Sequence, residues 1–238
     1  MRYLIISDIH GNLEAFEKIL SKLNDVNADK IYCLGDIIGY GADPCECLTL
    51  AKKHFDCFLY GNHEYALFSP EYEEFFNPFA YAALEWTRGQ LRKSDFDFIK
   101  SFSFMKIFDD FTLVHGSPKD PEEFYYIFSG YEADTAFRHC TTNICFIGHT
   151  HVPQLFTEGY VKGSYLEPGK FFLNRNKRYI INVGSIGQPR DLDKRLSCVV
   201  FDDSEYSIDL LRVPYENKKA ANKILKAGLP AYLAQRLL

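Results

Sequence analysis

Apolar and polar positions fall into two rhythms along the chain. Residues 2–7 are a short apolar run that meets an acid, Asp8, and read as a buried strand. Over residues 12–24, Leu13, Phe16, Ile19, Leu20 and Leu23 recur at three- and four-residue spacing, which predicts an amphipathic helix. Residues 29–34 return to strand, and a Gly-rich loop follows. Residues 44–54 predict a helix opened by Pro44, and residues 55–60 a third strand. The order strand, helix, strand, helix, strand implies a mostly parallel sheet with helices packed on it.

The middle of the chain changes character. Residues 79–91 predict a further amphipathic helix, and residues 105–108 and 111–114 a hairpin around Asp109-Asp110. Residues 143–147 read as a buried strand, 154–178 as a polar stretch with an irregular hairpin. Strands are expected at 179–183, 196–201 and 207–213, and helices at 218–227 and 231–238, broken by Gly228-Leu229-Pro230. Aromatic residues crowd the stretch 65–86. Phe75, Phe76, Phe79, Tyr81 and Trp86 read first as core, the other reading being a platform for a nucleobase. With no repeat, linker or low-complexity tract, residues 1–238 read as one domain.

Composition narrows the class. At 238 residues, 47% hydrophobic and 25% charged, the chain has the balance of a globular protein that buries a large core without disulfides. It has no apolar run of about 18 residues, so a membrane span is not expected. The N-terminus lacks the pattern of a signal peptide. A net charge of −5 argues against nonspecific binding to nucleic acid or anionic membranes. The seven cysteines are scattered, and Cys45-Glu46-Cys47 fits neither a zinc knuckle nor a C-x-x-C pair. They read as reduced thiols in a cytoplasmic protein.

The chemistry gathers at strand ends, where open α/β sheets bind ligands. Ser7-Asp8-Ile9-His10-Gly11-Asn12, Gly35-Asp36, Gly61-Asn62-His63-Glu64, Val114-His115-Gly116 and Gly148-His149-Thr150-His151 each follow a predicted strand. Mixed nitrogen and oxygen donors without cysteine suit Mn, Fe, Zn, Co or Ni better than calcium. Asp8 and His10, like His149 and His151, lie two apart, and an extended backbone would point both members the same way. Seven candidate donors exceed one tetrahedral zinc and suit two ions about 3.5–4 Å apart, sharing a carboxylate and clamping a phosphoryl displacement. His54 and His139 fall in predicted helices without a glycine partner and receive no role.

These motifs, in this order, resemble the calcineurin-like metallophosphoesterase superfamily. Gly35-Asp36-Ile37-Ile38-Gly39-Tyr40-Gly41 with Asp43-Pro44, and residues 182–190, resemble its small prokaryotic phosphoesterases. The resemblance implies a four-layer α/β/β/α sandwich of two mixed sheets flanked by helices. It implies one divalent ion on Asp8, His10, Asp36 and His151, and a second on Asp36, Asn62, His115 and His149. Manganese is the first expectation for both. A hydroxide between them would attack phosphorus in line. His63 matches a histidine that contacts phosphate and assists the leaving group. Glu64 either orients His63 or caps the loop. Asn12 caps the first helix, donates to phosphate, or does both. Tyr40 and Tyr65 adjoin ligand loops and are candidate substrate contacts.

The arginine that follows Gly-Asp in related protein Ser/Thr phosphatases is missing here, which lowers that reading. Arg190 is the candidate substitute clamp; a salt bridge to Asp191 or Asp193 is its alternative. The expected activity is hydrolysis of a phosphodiester or small phosphomonoester. A protein phosphatase, a non-catalytic scaffold and a nuclease are the other readings. The intact ligand set disfavours the scaffold, and the acidic balance disfavours the nuclease.

Overall fold

In the computed structural model, which describes residues 1–160 and 162–238, side-chain alternation in the first strand separates the layers. Tyr3 and Ile5 pack with Phe111, Phe146, Ile181 and Phe201. Leu4 and Ile6, on the opposite face, pack with Phe16, Ile19, Leu48 and Ala51 of the helices Leu13–Leu20 and Pro44–His54. The same device recurs across the molecule. Ile144 and Phe146 join the central layer, while Cys145 and Ile147 pack on Ala133, Ala136 and Phe137 of the helix Gly130–His139. Two sheets therefore meet face to face, each covered outside by helices.

The strands, in chain order, are β1 (Arg2–Ile6), β2 (Lys30–Cys33), β3 (Cys57–Phe58), β4 (Met105–Ile107), β5 (Phe111–Val114) and β6 (Ile144–Ile147). They continue with β7 (Gln154–Thr157), β8 (Ser164–Tyr165), β9 (Gly169–Phe172), β10 (Tyr179–Asn182), β11 (Leu196–Asp202) and β12 (Ser207–Val213). One six-stranded sheet runs β3-β2-β1-β11-β12-β9, the other β4-β5-β6-β10-β7-β8. This is the four-layer sandwich of two mixed sheets.

Several expectations need correction. The first three strands are parallel, but β11 pairs antiparallel with β1, so the sheet is mixed rather than mostly parallel. β3 shrinks to two residues: Leu59 still donates to the Cys33 carbonyl but forms an isolated bridge with Ser103, to whose carbonyl Tyr60 N–H turns. The helix expected over 12–24 stops at Leu20; a second short one, Leu23–Val26, ends at Asn27, whose φ of 50° is left-handed. The polar stretch 154–178 supplies a β7–β8 hairpin, but β9 crosses to the other sheet and pairs with β12. The aromatic stretch is only partly core: Phe75 is 80% exposed, and Phe79 and Tyr81 are each 44% exposed. All seven cysteines are free, Cys45 and Cys47 included.

Candidate metal centre

The loops after β1, β2, β5 and β6, with the segment after β3, converge at one edge of the two sheets. Asp8, His10, Asp36, Asn62, His63, His115, His149 and His151 are all buried there. Two groups of donor atoms form within 4.8 Å: Asp8, His10 and His151, and Asp36, His115 and His149. A third, His10, Asp36 and His63, lies between them in composition. Asp36 Oδ2 is 3.3 Å from His115 Nε2 and 3.6 Å from His10 Nε2, so it touches both main groups.

The route to convergence differs from the expected one. Asp8, His10, Asp36, His149 and His151 have φ of 55°, 50°, 54°, 67° and 62°. These are left-handed conformations, not extended backbone. The two-residue spacing brings Asp8 to His10 and His149 to His151 through paired left-handed residues rather than through strand alternation. Such strain persists only where the surroundings over-determine it. Here they do. His10 N–H donates to the Asp36 carbonyl at 2.8 Å, and Gly187 N–H to that of Asp8 at 2.8 Å. Ser185 Oγ also donates to the Asp8 carbonyl, and Asn182 Nδ2 to that of Gly148. The segment 182–190 is thus the bolt across two ligand loops.

Glu64 does not orient His63. Its carboxylate accepts from Asp36 N–H at 2.8 Å, Ile38 N–H at 3.0 Å and Gly61 N–H at 3.1 Å, which ties the two ligand loops together. Burial, with the Asp36 charge beside it, pushes its carboxyl up to about 7. Close approach explains Gly61, since a Cβ there would sit 2.1 Å from Asp36 Oδ1. Gly39, at φ +88°, makes room for His63: a Cβ would sit 2.2 Å from its Nδ1.

Three ring nitrogens are fixed from behind. His10 Nδ1 lies 3.1 Å from the Ile38 carbonyl, His115 Nδ1 3.0 Å from that of Leu34, and His151 Nδ1 2.6 Å from that of Gln188. A carbonyl only accepts, so each Nδ1 carries a proton and each Nε2 is turned toward the centre. His10 Nε2 and His151 Nε2 then face each other at 3.1 Å, and His115 Nε2 faces His149 Nδ1 at 3.1 Å. Asp8 Oδ1 and Asn62 Oδ1 are buried without a hydrogen-bond partner. Ring nitrogens crowded against one another beside buried carboxylates call for a cation. The donors present fit divalent metal binding.

Electrostatics follow the same layout. Burial disfavours a charged His115, but Asp36 and Asp8 outweigh it and hold its pKa up at about 9. Burial pushes His63 down to about 3, and burial with the nearby Arg190 charge brings His151 to about 4.

The remaining candidates separate. Asn12 Oδ1 caps the first helix through Ala15 N–H, and its Nδ2 donates to the Gly187 carbonyl and the Tyr215 hydroxyl. Both amide hydrogens are spent, which leaves none for phosphate. Tyr65 packs in the interior against Tyr60, Phe104 and Phe124, away from a substrate role. Tyr40 lies 4.5 Å from the rings of both His10 and His63. Arg190 pairs with neither Asp191 nor Asp193, which bind Arg212 and Arg195. Its guanidinium donates to Gln188 Oε1 at 2.9 Å and lies 5.8 Å from the Tyr40 ring. Gln188 and Tyr126 escaped the sequence reading. Tyr126 stacks on His149 at 3.8 Å and 14°, from a loop without a motif.

Two helix-flanked mixed sheets with histidines and aspartates gathered at one edge define a metallophosphoesterase. The chain belongs to the calcineurin-like phosphoesterase superfamily, whose domain model matches residues 1–205. It is 37% identical to an uncharacterized protein of Methanocaldococcus jannaschii, over 98% of this chain and 96% of that one. The crystal structure of a metallophosphoesterase from Sphaerobacter thermophilus superposes with a TM-score of 0.89 at 37% identity, covering 100% of this chain and 98% of that chain. A hypothetical protein from Pyrococcus horikoshii shares the fold at a TM-score of 0.79 and 17% identity, over 99% of this chain and 97% of that one.

Proposed function

We propose that this chain is a dinuclear metal-dependent phosphoesterase that hydrolyses a phosphodiester or a small phosphomonoester. The observation that carries the reading is the pair of donor groups, each with ring nitrogens gathered about a buried carboxylate, joined through Asp36. Asp8, His10, Asp36 and His151 would hold one divalent ion, and Asp36, Asn62, His115 and His149 the other. Manganese is our first choice, with iron, zinc, cobalt or nickel compatible with the same donors. Bound ions supply Lewis acidity toward phosphate and water, the chemistry that ester hydrolysis at phosphorus needs.

The chain's own side chains do the rest. Asp36 keeps His63 in place by accepting its backbone N–H at 2.9 Å. His63 Nδ1 is buried without a partner, and the residue lines the cleft beside the centre. It contacts the bound phosphate, whose negative charge favours the protonated ring that burial alone disfavours, and delivers a proton to the departing ester oxygen. Tyr40 packs against His63 and under Arg190, holding both toward the substrate. Arg190, bound to a neutral amide rather than a carboxylate, keeps its charge for phosphate oxygens.

Metal analysis after manganese loading, with assay of a panel of phosphomonoesters, cyclic nucleotides and dinucleotides, tests the proposal. Two ions per chain and metal-dependent hydrolysis of at least one ester are expected. A single ion, or no hydrolysis across the panel, contradicts it. Arg190→Ala should lower kcat/KM by about 10- to 100-fold, the worth of a charge-assisted hydrogen bond, with an unchanged unfolding midpoint. Unaltered kinetics would remove Arg190 from the substrate site.

A further inference from the structure

Beside the metal centre opens a cleft of about 310 Å³. Asn62, His63 and His149 of the centre line it, together with two aromatic-rich stretches, 72–77 and 123–126. These stretches are fastened to the centre and to each other. Phe76 lies 4.8 Å from the His63 ring, Tyr126 stacks on His149, and Tyr72 lies 5.5 Å from Phe124. Their outer members serve no core: Phe75 is 80%, Tyr125 46% and Tyr126 44% exposed. Large exposed aromatics grouped around one cleft mark a binding surface rather than packing.

The lining selects the ligand. Flat rings predominate, with Ala80 the lone aliphatic side chain, so the cleft suits a planar group better than an acyl chain. Polar groups edge it as well. Asn77 spends its carbonyl oxygen capping the helix Pro78–Gln90, which leaves its amide hydrogens as donors, and Glu123 brings an acceptor. A flat group with donors and acceptors on its rim, tethered to a phosphate, is a nucleoside.

We propose that this cleft is a base subsite and that the substrate is a phosphoester of a nucleoside. The phosphate sits at the metal centre and the base among Phe75 and Tyr126. The proposal names the substrate class of the phosphoesterase reading and rests on it for the place of the phosphate. Stacking on aromatic side chains accepts any base, so purine and pyrimidine esters should both be taken.

Calorimetry on the manganese-loaded protein tests the base separately from the chemistry. The probes are the non-hydrolysable phosphonate analogues of AMP and of ribose 5-phosphate, which differ only in the base. The AMP analogue should bind at least about 10-fold more tightly, the worth of one stacked base. Phe75→Ala should collapse that ratio toward one, and Phe75→Trp should restore it. Phe75 is exposed enough for either change to spare the core. Equal affinities for the two probes, no binding of either, or a ratio indifferent to Phe75→Ala overturns the proposal. Failure of the phosphoesterase reading shows elsewhere, as absence of hydrolysis across the ester panel, and leaves this ratio readable.

Discussion

Asp36→Asn should cut turnover by at least about 100-fold, the upper end of the roughly 10- to 100-fold loss seen when outer partners of metal ligands are changed. It should also lower metal content at both sites together. Asp36 approaches both main donor groups, 3.6 Å from His10 and 3.3 Å from His115, closer across the centre than Asp8, whose Oδ1 lies 3.9 Å from His115. Asparagine suits the test. It tolerates the left-handed backbone at φ 54° and keeps an oxygen for the His63 N–H, so the fold should survive. What goes is one buried negative charge. With Asp36 neutral, the support that holds the His115 pKa up is also lost. Metal analysis and circular dichroism on the same sample separate the outcomes. Loss from one site only would mean that Asp36 serves a single ion.

His63→Ala should lower turnover by about 10²- to 10⁴-fold, the usual range for a positioned proton donor, while metal content stays near wild type. The side chain is buried against Tyr40 and Phe76, and its Nδ1 has no partner. Esters with good leaving groups should suffer least, because they need no proton. His63 also belongs to a donor group with His10 and Asp36. Metal lost along with activity would therefore make it a ligand instead.

The candidate donors that gather at the centre were legible in sequence because each follows a predicted strand, most lie beside a glycine, and only a few side-chain types offer nitrogen and oxygen to a metal. The way the donors converge was not. A D-x-H spacing looks the same whether the backbone is extended or left-handed, and only hydrogen bonds from distant segments, such as Gly187 to Asp8, decide it. Glu64 shows a related limit. Its neighbour in sequence is His63, yet its partners include Asp36 and Ile38, more than twenty-five residues away. β9 could not be assigned to a sheet, since its side chains alternate identically whichever partner strand it finds. Tyr126 carried no motif; its contact with His149 exists only once two loops meet.

The left-handed backbone at five of the donors sorts the positions by how freely they can be redesigned. Asp, Asn and His are among the few non-glycine side chains at home in that conformation. On the proposed ligation, the residue at 8, 10, 36, 149 and 151 is therefore chosen twice, for its donor atom and for its backbone. A longer carboxylate or a thiolate there pays about 1–2 kcal/mol in backbone strain before any metal is considered. Asn62 and His115 stand outside that constraint, Asn62 opening the helix Asn62–Ala66 and His115 following β5. Retuning this centre for a softer or harder metal begins at those two positions, where a donor can be exchanged without refolding the loop that presents it.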